Sequence, residues 1–285
     1  MSAFQYDLVH SLDGGSLGAG WYVVANSGGN DSIALIQWFY ENGFKNVLCL
    51  YNDTGWSMPA VGNQESWHER MERVEALCDS YGFRHARTTS MGFEALVKWK
   101  KAFPRQGIQF CTEILKMIPT IAFLAEHDPT GKAICANGKR RHESAERSNT
   151  VEWVYKSEAH GGRDLRQPLW DTTNEERDAL ILRAGFEVLP HKSKECKLCI
   201  NENREGLLMT PGVVIQDVAR LEGEMGITSN GKPRTFFRPA SKMGATGIHE
   251  VVRWSQAKRG KYRSLSDSTG KSQTESGCDG GYCAS

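Results

Sequence analysis

The chain has 285 residues, with 35 Lys and Arg against 34 Asp and Glu and a formal net charge of +1. That balance excludes a protein held to polyanions by its global charge, so any polyanion site must be a local patch, while a chain of this length buries roughly three quarters of its unfolded surface and needs no disulfide staple. No run approaches the roughly 18 apolar residues of a membrane span and the N-terminus lacks a basic start before a long apolar core, so the chain reads as cytoplasmic with no membrane partner. In that compartment eight cysteines point to buried thiols, metal ligands or redox groups ahead of structural disulfides.

In chain order, short apolar runs closed by turn residues alternate with amphipathic stretches. "WYVVAN" (21–26) predicts a buried strand, and "SGGNDS" (27–32) turns directly into a helix over 31–43. "NVLCLYN" (46–52) predicts a second strand and "KAICANG" (132–138) a third, with helices over 66–82 and 112–127. Apolar residues recur at three and four spacing in the helices, and Gly stands near two of their ends. Strand, helix, strand, helix predicts an α/β fold, a doubly wound parallel sheet. After Arg204 the pattern changes to one helix (213–226) and loops rich in Pro, Gly and aromatics. We expect an α/β domain over 1–204, a small helical C-terminal extension over 205–254, and a flexible Ser/Gly-rich tail over 255–285 that carries Cys278 and Cys283.

A strand that feeds a Gly-rich turn and then a helix presents backbone N–H groups and the positive helix end at one point. Gly28 and Gly29 admit an anion with no Cβ in the way, Ser27 and Ser32 add hydroxyl donors, and Asp31 can orient a magnesium ion. An anionic charge at a helix start gains on the order of 0.3 to 1 kcal/mol, up to about 2 when partly buried. The turn is shaped for phosphate, although a plain helix cap would use the same two glycines. Asp53 ends the second strand, where open α/β sheets bind ligands, and it could equally form a turn before Gly55. Cys196-Lys-Leu-Cys199 has metal-ligand spacing, Cys111 opens a helix upstream, and His191 shortly precedes Cys196. A structural Cys3His zinc site is one reading of these residues and unliganded thiols are another. Cys49, Cys78 and Cys135, in predicted strands or a helix, read as small buried hydrophobes.

The string Ser27-Gly28-Gly29-Asn30-Asp31-Ser32 resembles the PP-loop of the ATP pyrophosphatase superfamily, whose fold is adenine nucleotide alpha hydrolase-like. Further matches follow in order. "YNDTGW" (51–56) resembles the Asp-Thr-Gly element of the 3′-phosphoadenylyl-sulfate reductase branch, Gly138, Arg140, Glu143, Ser144 and Arg147 match its Gly-x-Arg-x-x-Glu-Ser-x-x-Arg pattern, 167–181 is similar to its Pro-Leu, Asp and Thr segment, and "CKLC" falls where the branch carries a Cys pair. The resemblance implies an adenine nucleotide, ATP with Mg2+, held by residues 27–32 with Asp53, Gly138, Arg140, Glu143 and Arg147. A guanidinium fork suits Arg140 and Arg147 to phosphate or sulfate oxygens, local pairing with Glu143 and Glu146 being the plain alternative. Branch members with a 4Fe-4S cluster join a Cys-Cys pair to a later Cys-x-x-Cys, but here Phe110 precedes Cys111. Three thiolates, Cys111, Cys196 and Cys199, then leave one iron for His191, a tail cysteine or external sulfide, which is similar to some PP-loop thiolation enzymes. The branch's reductases end in a mobile Glu-Cys-Gly-Leu-His segment. This chain ends "ESGCDGGYCAS", a poor match in which Cys278 and Cys283 could attack sulfur, resolve a disulfide or ligate metal, or be incidental.

An intact loop suits gripping pyrophosphate while ATP is split to AMP, whereas sulfonucleotide reductases typically carry a degraded one. The resemblance therefore implies, first, an enzyme with Asp31 in a catalytic role that uses ATP to transfer sulfur to a nucleic-acid or nucleotide acceptor such as tRNA or DNA. Arg140, Arg147 and the basic stretch 257–263 would face that acceptor. The second reading is reduction of adenylyl sulfate or its 3′-phosphate by a tail cysteine with a thioredoxin-like reductant. A third is nucleotide binding without turnover, because Asn30 stands where many family loops carry Lys. A homo-oligomer or a subunit of a complex is expected.

Overall fold

The computed structural model describes residues 16–143, 147–237 and 245–258. Cys278, Cys283, Ser144, Glu146 and the basic stretch from 259 onward lie outside the described residues. The chain divides into two units, one of residues 16–93 and 111–196 and one of residues 94–110 and 197–258. Among the described residues no helix is long and apolar enough to cross a membrane.

The first unit is built on strands β1 Tyr22–Asn26, β2 Val47–Asp53, β3 Arg84–Thr89, β4 Ile134–Ala136, β5 Trp153–Ser157 and β6 Arg163–Arg166. They form one sheet in the order β3-β2-β1-β4-β6-β5. Val24 of β1 lies opposite Cys49 on one side and Ala136 on the other, both in parallel register. The expected α/β class is the fold adopted, with one departure: β5 runs antiparallel to β6 at the sheet edge. Alternate residues of the central strands face opposite ways. Val24, Cys49 and Tyr51 join Ile33, Ile36, Phe39, Val74 and Leu180 in one apolar cluster, while Val23, Leu48 and Leu50 join Phe123, Leu124, Cys135 and Leu165 in another. Cys49, Cys78 and Cys135 are buried, and burial pushes the Cys135 thiol up to about 12.

Helices of this unit are α1 Asn30–Glu41, α2 Trp67–Ser80, α4 Phe110–Thr112, α5 Ile118–His127 and α6 Asn174–Arg183, with α3 Phe93–Lys100 starting at the division between units. Reciprocal capping boxes start α2 (Ser66 with Glu69) and α6 (Thr173 with Glu176). The helix expected over 112–127 is interrupted by a π turn, Glu113–Met117. Pro119, in the first turn of α5, has no N–H to return, and the wider turn before it absorbs the missing bond. At the start of β4 the buried Asp128 carboxylate accepts from Arg163 Nε at 2.7 Å and from the Ala133 amide at 3.1 Å, tying β4 to β6.

The second unit holds most of α3 with α7 Arg204–Leu208, α8 Gly212–Met225 and α9 Ile248–Gln256. Val214, Val218, Leu221 and Met225 make the buried stripe of α8. Glu222 of α8 accepts from Ile248 N at 2.9 Å and from Phe236 N at 2.7 Å, capping the start of α9. Arg220 Nη2 reaches Glu94 of α3 at 2.6 Å. The end of α3 is closed by Ala102 N donating to Val97 O and Lys101 N to Lys98 O, each at 3.2 Å, the pairing of a Schellman motif.

Candidate nucleotide site

On the two sides of β1 the chain leaves the sheet in opposite directions, to β2 and β3 on one flank and to β4 and β6 on the other. Such a switch point leaves a crevice beyond the carboxyl ends of the strands. Ala25, next to last in this central strand, is exposed although Val23 and Val24 are buried. The strand therefore opens to solvent at the point where the 27–32 loop begins.

The loop's conformation is fixed from behind. Asn26 Oδ1 accepts from Gly28 N at 3.0 Å, and Gly28 has φ +66. A Cβ on Gly28 would lie 2.8 Å from Met71 Sδ and one on Gly29 2.9 Å from Ser193 Cβ, so both glycines are required by packing. The loop carbonyls are bonded inward. Ser27 O accepts from Trp67 Nε1 at 3.0 Å and Ser193 Oγ at 2.9 Å, Gly28 O from Arg70 Nε at 2.7 Å, and Gly29 O from Ser32 Oγ at 2.9 Å. No side chain caps α1 at Gly29, and the first-turn N–H groups of a helix have no partner within it, the arrangement in which a helix start can receive an anion. Ser27 Oγ and Ser32 Oγ stand 3.5 Å apart.

A second layer holds the first turn of α1. Arg140 is 2% exposed and donates to Asp31 Oδ1 at 2.8 Å, Asn174 Oδ1 at 3.0 Å and Thr172 O at 3.3 Å. Its guanidinium thus works on α1 itself. Arg177 Nη1 lies 3.9 Å from Asp31 Oδ1. A Cβ on Gly138 would come 2.7 Å from Asp31 O, which explains the glycine before Arg140. Arg147 pairs with Glu143; burial lowers its pKa, and while the Asp31 charge raises it, the nearby Arg140 lowers it further. Asn30, which replaces the expected lysine, donates to Leu189 O and accepts from Leu189 N, both at 2.9 Å.

At the end of β2, Asp53 is a turn former, accepting from Gly55 N at 2.9 Å. Its other oxygen lies 4.0 Å from His68 Nδ1, and His68 Nε2 is 3.1 Å from Ser57 Oγ. Buried Thr54 donates to Glu195 O at 2.9 Å and lies 3.8 Å from Cys196 Sγ, and Glu195 pairs with Lys116. Burial, then the charges of Asp53, Glu195 and Cys196, raises the Tyr51 phenol. Cys111 and Cys196 are half-buried in the first unit and Cys199 is half-buried in the second. His191 Nδ1 is bonded to Lys192 O at 2.7 Å. A metal cluster needs converging thiolates. Among the described residues no group of three or more His, Cys, Asp and Glu is placed to hold a metal ion. Magnesium asks less, one or two carboxylates with the phosphates of its nucleotide, and the partly exposed Asp31 fits that demand.

Sequence reasoning missed the residues that hold the loop from behind: Asn26, Trp67, Arg70, Arg177, Leu189 and Ser193. One signal was present. Trp67, Arg70, Met71, Val74 and Cys78 make the buried face of α2, and an arginine in that stripe needs a buried acceptor, which is Gly28 O.

The phosphoadenosine phosphosulfate reductase domain model matches residues 21–197, from the start of β1 to the Cys-x-x-Cys element. No curated protein matches the chain. Among solved structures, a phosphoadenylyl-sulfate reductase from Candida auris in a phosphate complex is similar at 14% identity and TM-score 0.40, over 59% of this chain and 74% of that one. An NMN synthetase from Francisella tularensis is similar at 16% identity and TM-score 0.39, over 84% of each chain. With its loop, its Gly-x-Arg layer and its sheet all inside the matched span, the chain belongs to the phosphoadenosine phosphosulfate reductase domain family.

Proposed function

We propose that the chain binds ATP at residues 27–32 and splits it to AMP and PPi, activating a nucleic-acid or nucleotide acceptor for sulfur transfer. The observation that supports this reading is the start of α1: glycine at both packed positions, every loop carbonyl bonded inward, and no side-chain cap on the helix. Such a loop stabilises the charge that grows on pyrophosphate as it leaves. Arg147 is the arginine we assign to the nucleotide's phosphate, because Arg140 is buried against Asp31, Asn174 and Thr172, whereas the Arg147 side chain, paired with Glu143, remains 39% exposed. Magnesium bound with the nucleotide would be held by Asp31 and would neutralise the phosphate charge. An acceptor oxygen attacks the α-phosphorus and PPi departs. A donor at the oxidation level of sulfide then forms the new bond to sulfur as AMP leaves with the oxygen, so no electrons are gained or lost. No step is assigned to iron or zinc.

The test is PPi and AMP release from ATP with acceptor and sulfide present. Asp31→Asn keeps an oxygen for Arg140 Nε while removing the carboxylate charge, and it should lower PPi release at least about tenfold with little change in melting temperature. A parallel reaction with adenylyl sulfate or its 3′-phosphate, thioredoxin and a sulfite readout tests the other chemistry. Sulfite formed by Asp31→Asn as fast as by the parent, with no PPi from ATP, would make the protein a sulfonucleotide reductase.

A further inference from the structure

The chain is near-neutral as a whole, but charge is unevenly spread along the second unit. From Ala95 to Phe110 there are four cations, Lys98, Lys100, Lys101 and Arg105, and no Asp or Glu. Lys98 is drawn to Glu224 at 2.7 Å. The others are neighbours in sequence of two large exposed apolar side chains, Trp99 at 52% and Ile108 at 48% exposure. Trp99 is in the last turn of α3, and Lys100 Nζ lies 4.3 Å from its ring centroid. Ile108 ends a tight turn in which Arg105 and Ile108 exchange backbone hydrogen bonds at 3.2 and 2.9 Å.

Lys101 is the residue that ordinary folding does not explain. It has φ +52, in the left-handed position of the Schellman motif, where glycine is usual and an L side chain costs roughly 1 kcal/mol. Strain kept where glycine would relieve it points to use of the side chain. An indole flanked by cations, with acidic groups absent from the segment, matches a platform on which bases stack while phosphates meet Lys and Arg. We propose that Trp99, Lys100, Lys101, Arg105 and Ile108 form a docking surface for single-stranded nucleic acid. That the bound strand is the sulfur acceptor rests on the reading above; the binding itself does not.

The experiment measures binding of fluorescent single-stranded DNA and RNA oligonucleotides to the full chain without ATP, across a range of salt. Trp99→Ala should weaken binding by about 5- to 100-fold. Lys101→Gly should weaken binding and flatten the salt dependence by about 0.7 in log–log slope, while its melting temperature stays equal or rises because the strain is gone. A destabilised surface could not give that opposite pair of shifts. Asp31→Asn should bind the oligonucleotides like the parent, which separates this surface from ATP chemistry. Absence of saturable binding, or unchanged affinity in both Trp99→Ala and Lys101→Gly, overturns the proposal. It is also overturned if polyglutamate or anionic vesicles bind as tightly with the same dependence on Trp99, which would assign the surface to an acidic protein or a membrane.

Discussion

Asn30 makes two bonds at once, donating to Leu189 O and accepting from Leu189 N. A lysine, with donors only, could satisfy one of them. The departure from the family's loop is therefore accounted for by a clasp on the chain beyond α6, whatever it also does to phosphate affinity. Asn30→Leu leaves both Leu189 groups without their partner and should cost about 1 to 3 kcal/mol, seen as a lower urea midpoint, with a higher Kd for ATP because the clasped segment carries Ser193 onto the loop. An unchanged midpoint would mean that water replaces the side chain freely. At this scale the turn over 27–32 and the helix that follows it were readable, because a Gly-rich turn before an apolar periodic run is a local signal. The roles of Asn30 and Arg140 were not readable, because their partners lie 159 and 109 positions away.

At the scale of elements, β1, β2, α1, α2 and α8 were legible from their apolar runs and apolar periodicity, reinforced at α2 by its capping box. β3 and β6, "RHARTT" and "RDLR", carry arginines that mask their period, and partners supplied by the fold make those charges tolerable: Arg87 reaches Glu75, and Arg163 reaches Asp128. The glycines offer a paired test. Gly138→Ala sets a Cβ against backbone at Asp31 O, 2.7 Å away, and should cost about 1 to 3 kcal/mol together with nucleotide affinity, since α1's first turn has to move. Gly223, inside α8, has nothing within 4 Å of its position for a Cβ, and Gly223→Ala should stabilise by about 0.5 to 1 kcal/mol. Thermal melts of the two variants with and without ATP distinguish the cases. Equal shifts in both would show that close packing at Gly138 is not what fixes the loop.

For the molecule as a whole, the first unit's sheet is secured at the start of β4 and β6 by Asp128 and Arg163. Burial opposes ionisation of Asp128, but Arg163, the Ala133 amide and the Thr130 hydroxyl outweigh it, and the carboxyl is held below its usual range. With the folded pKa below the unfolded one, the stabilisation is complete above about pH 4 and is lost as the pH falls through the folded value. Urea midpoints from pH 7 to 2.5 should fall more steeply for the parent than for Asp128→Asn, the two curves converging at the acid end. Parallel curves would remove this pair from acid stability. The clasp between Asn30 and Leu189 has another consequence, one of timing. The phosphate loop leaves the ribosome ahead of the residue that completes it, because its carbonyl at Ser27 waits for Ser193, 166 positions later. At about 5 to 20 residues per second the loop spends roughly ten to thirty seconds unfinished, so a nascent chain acquires its hold on nucleotide only when the far end of the same unit has been made.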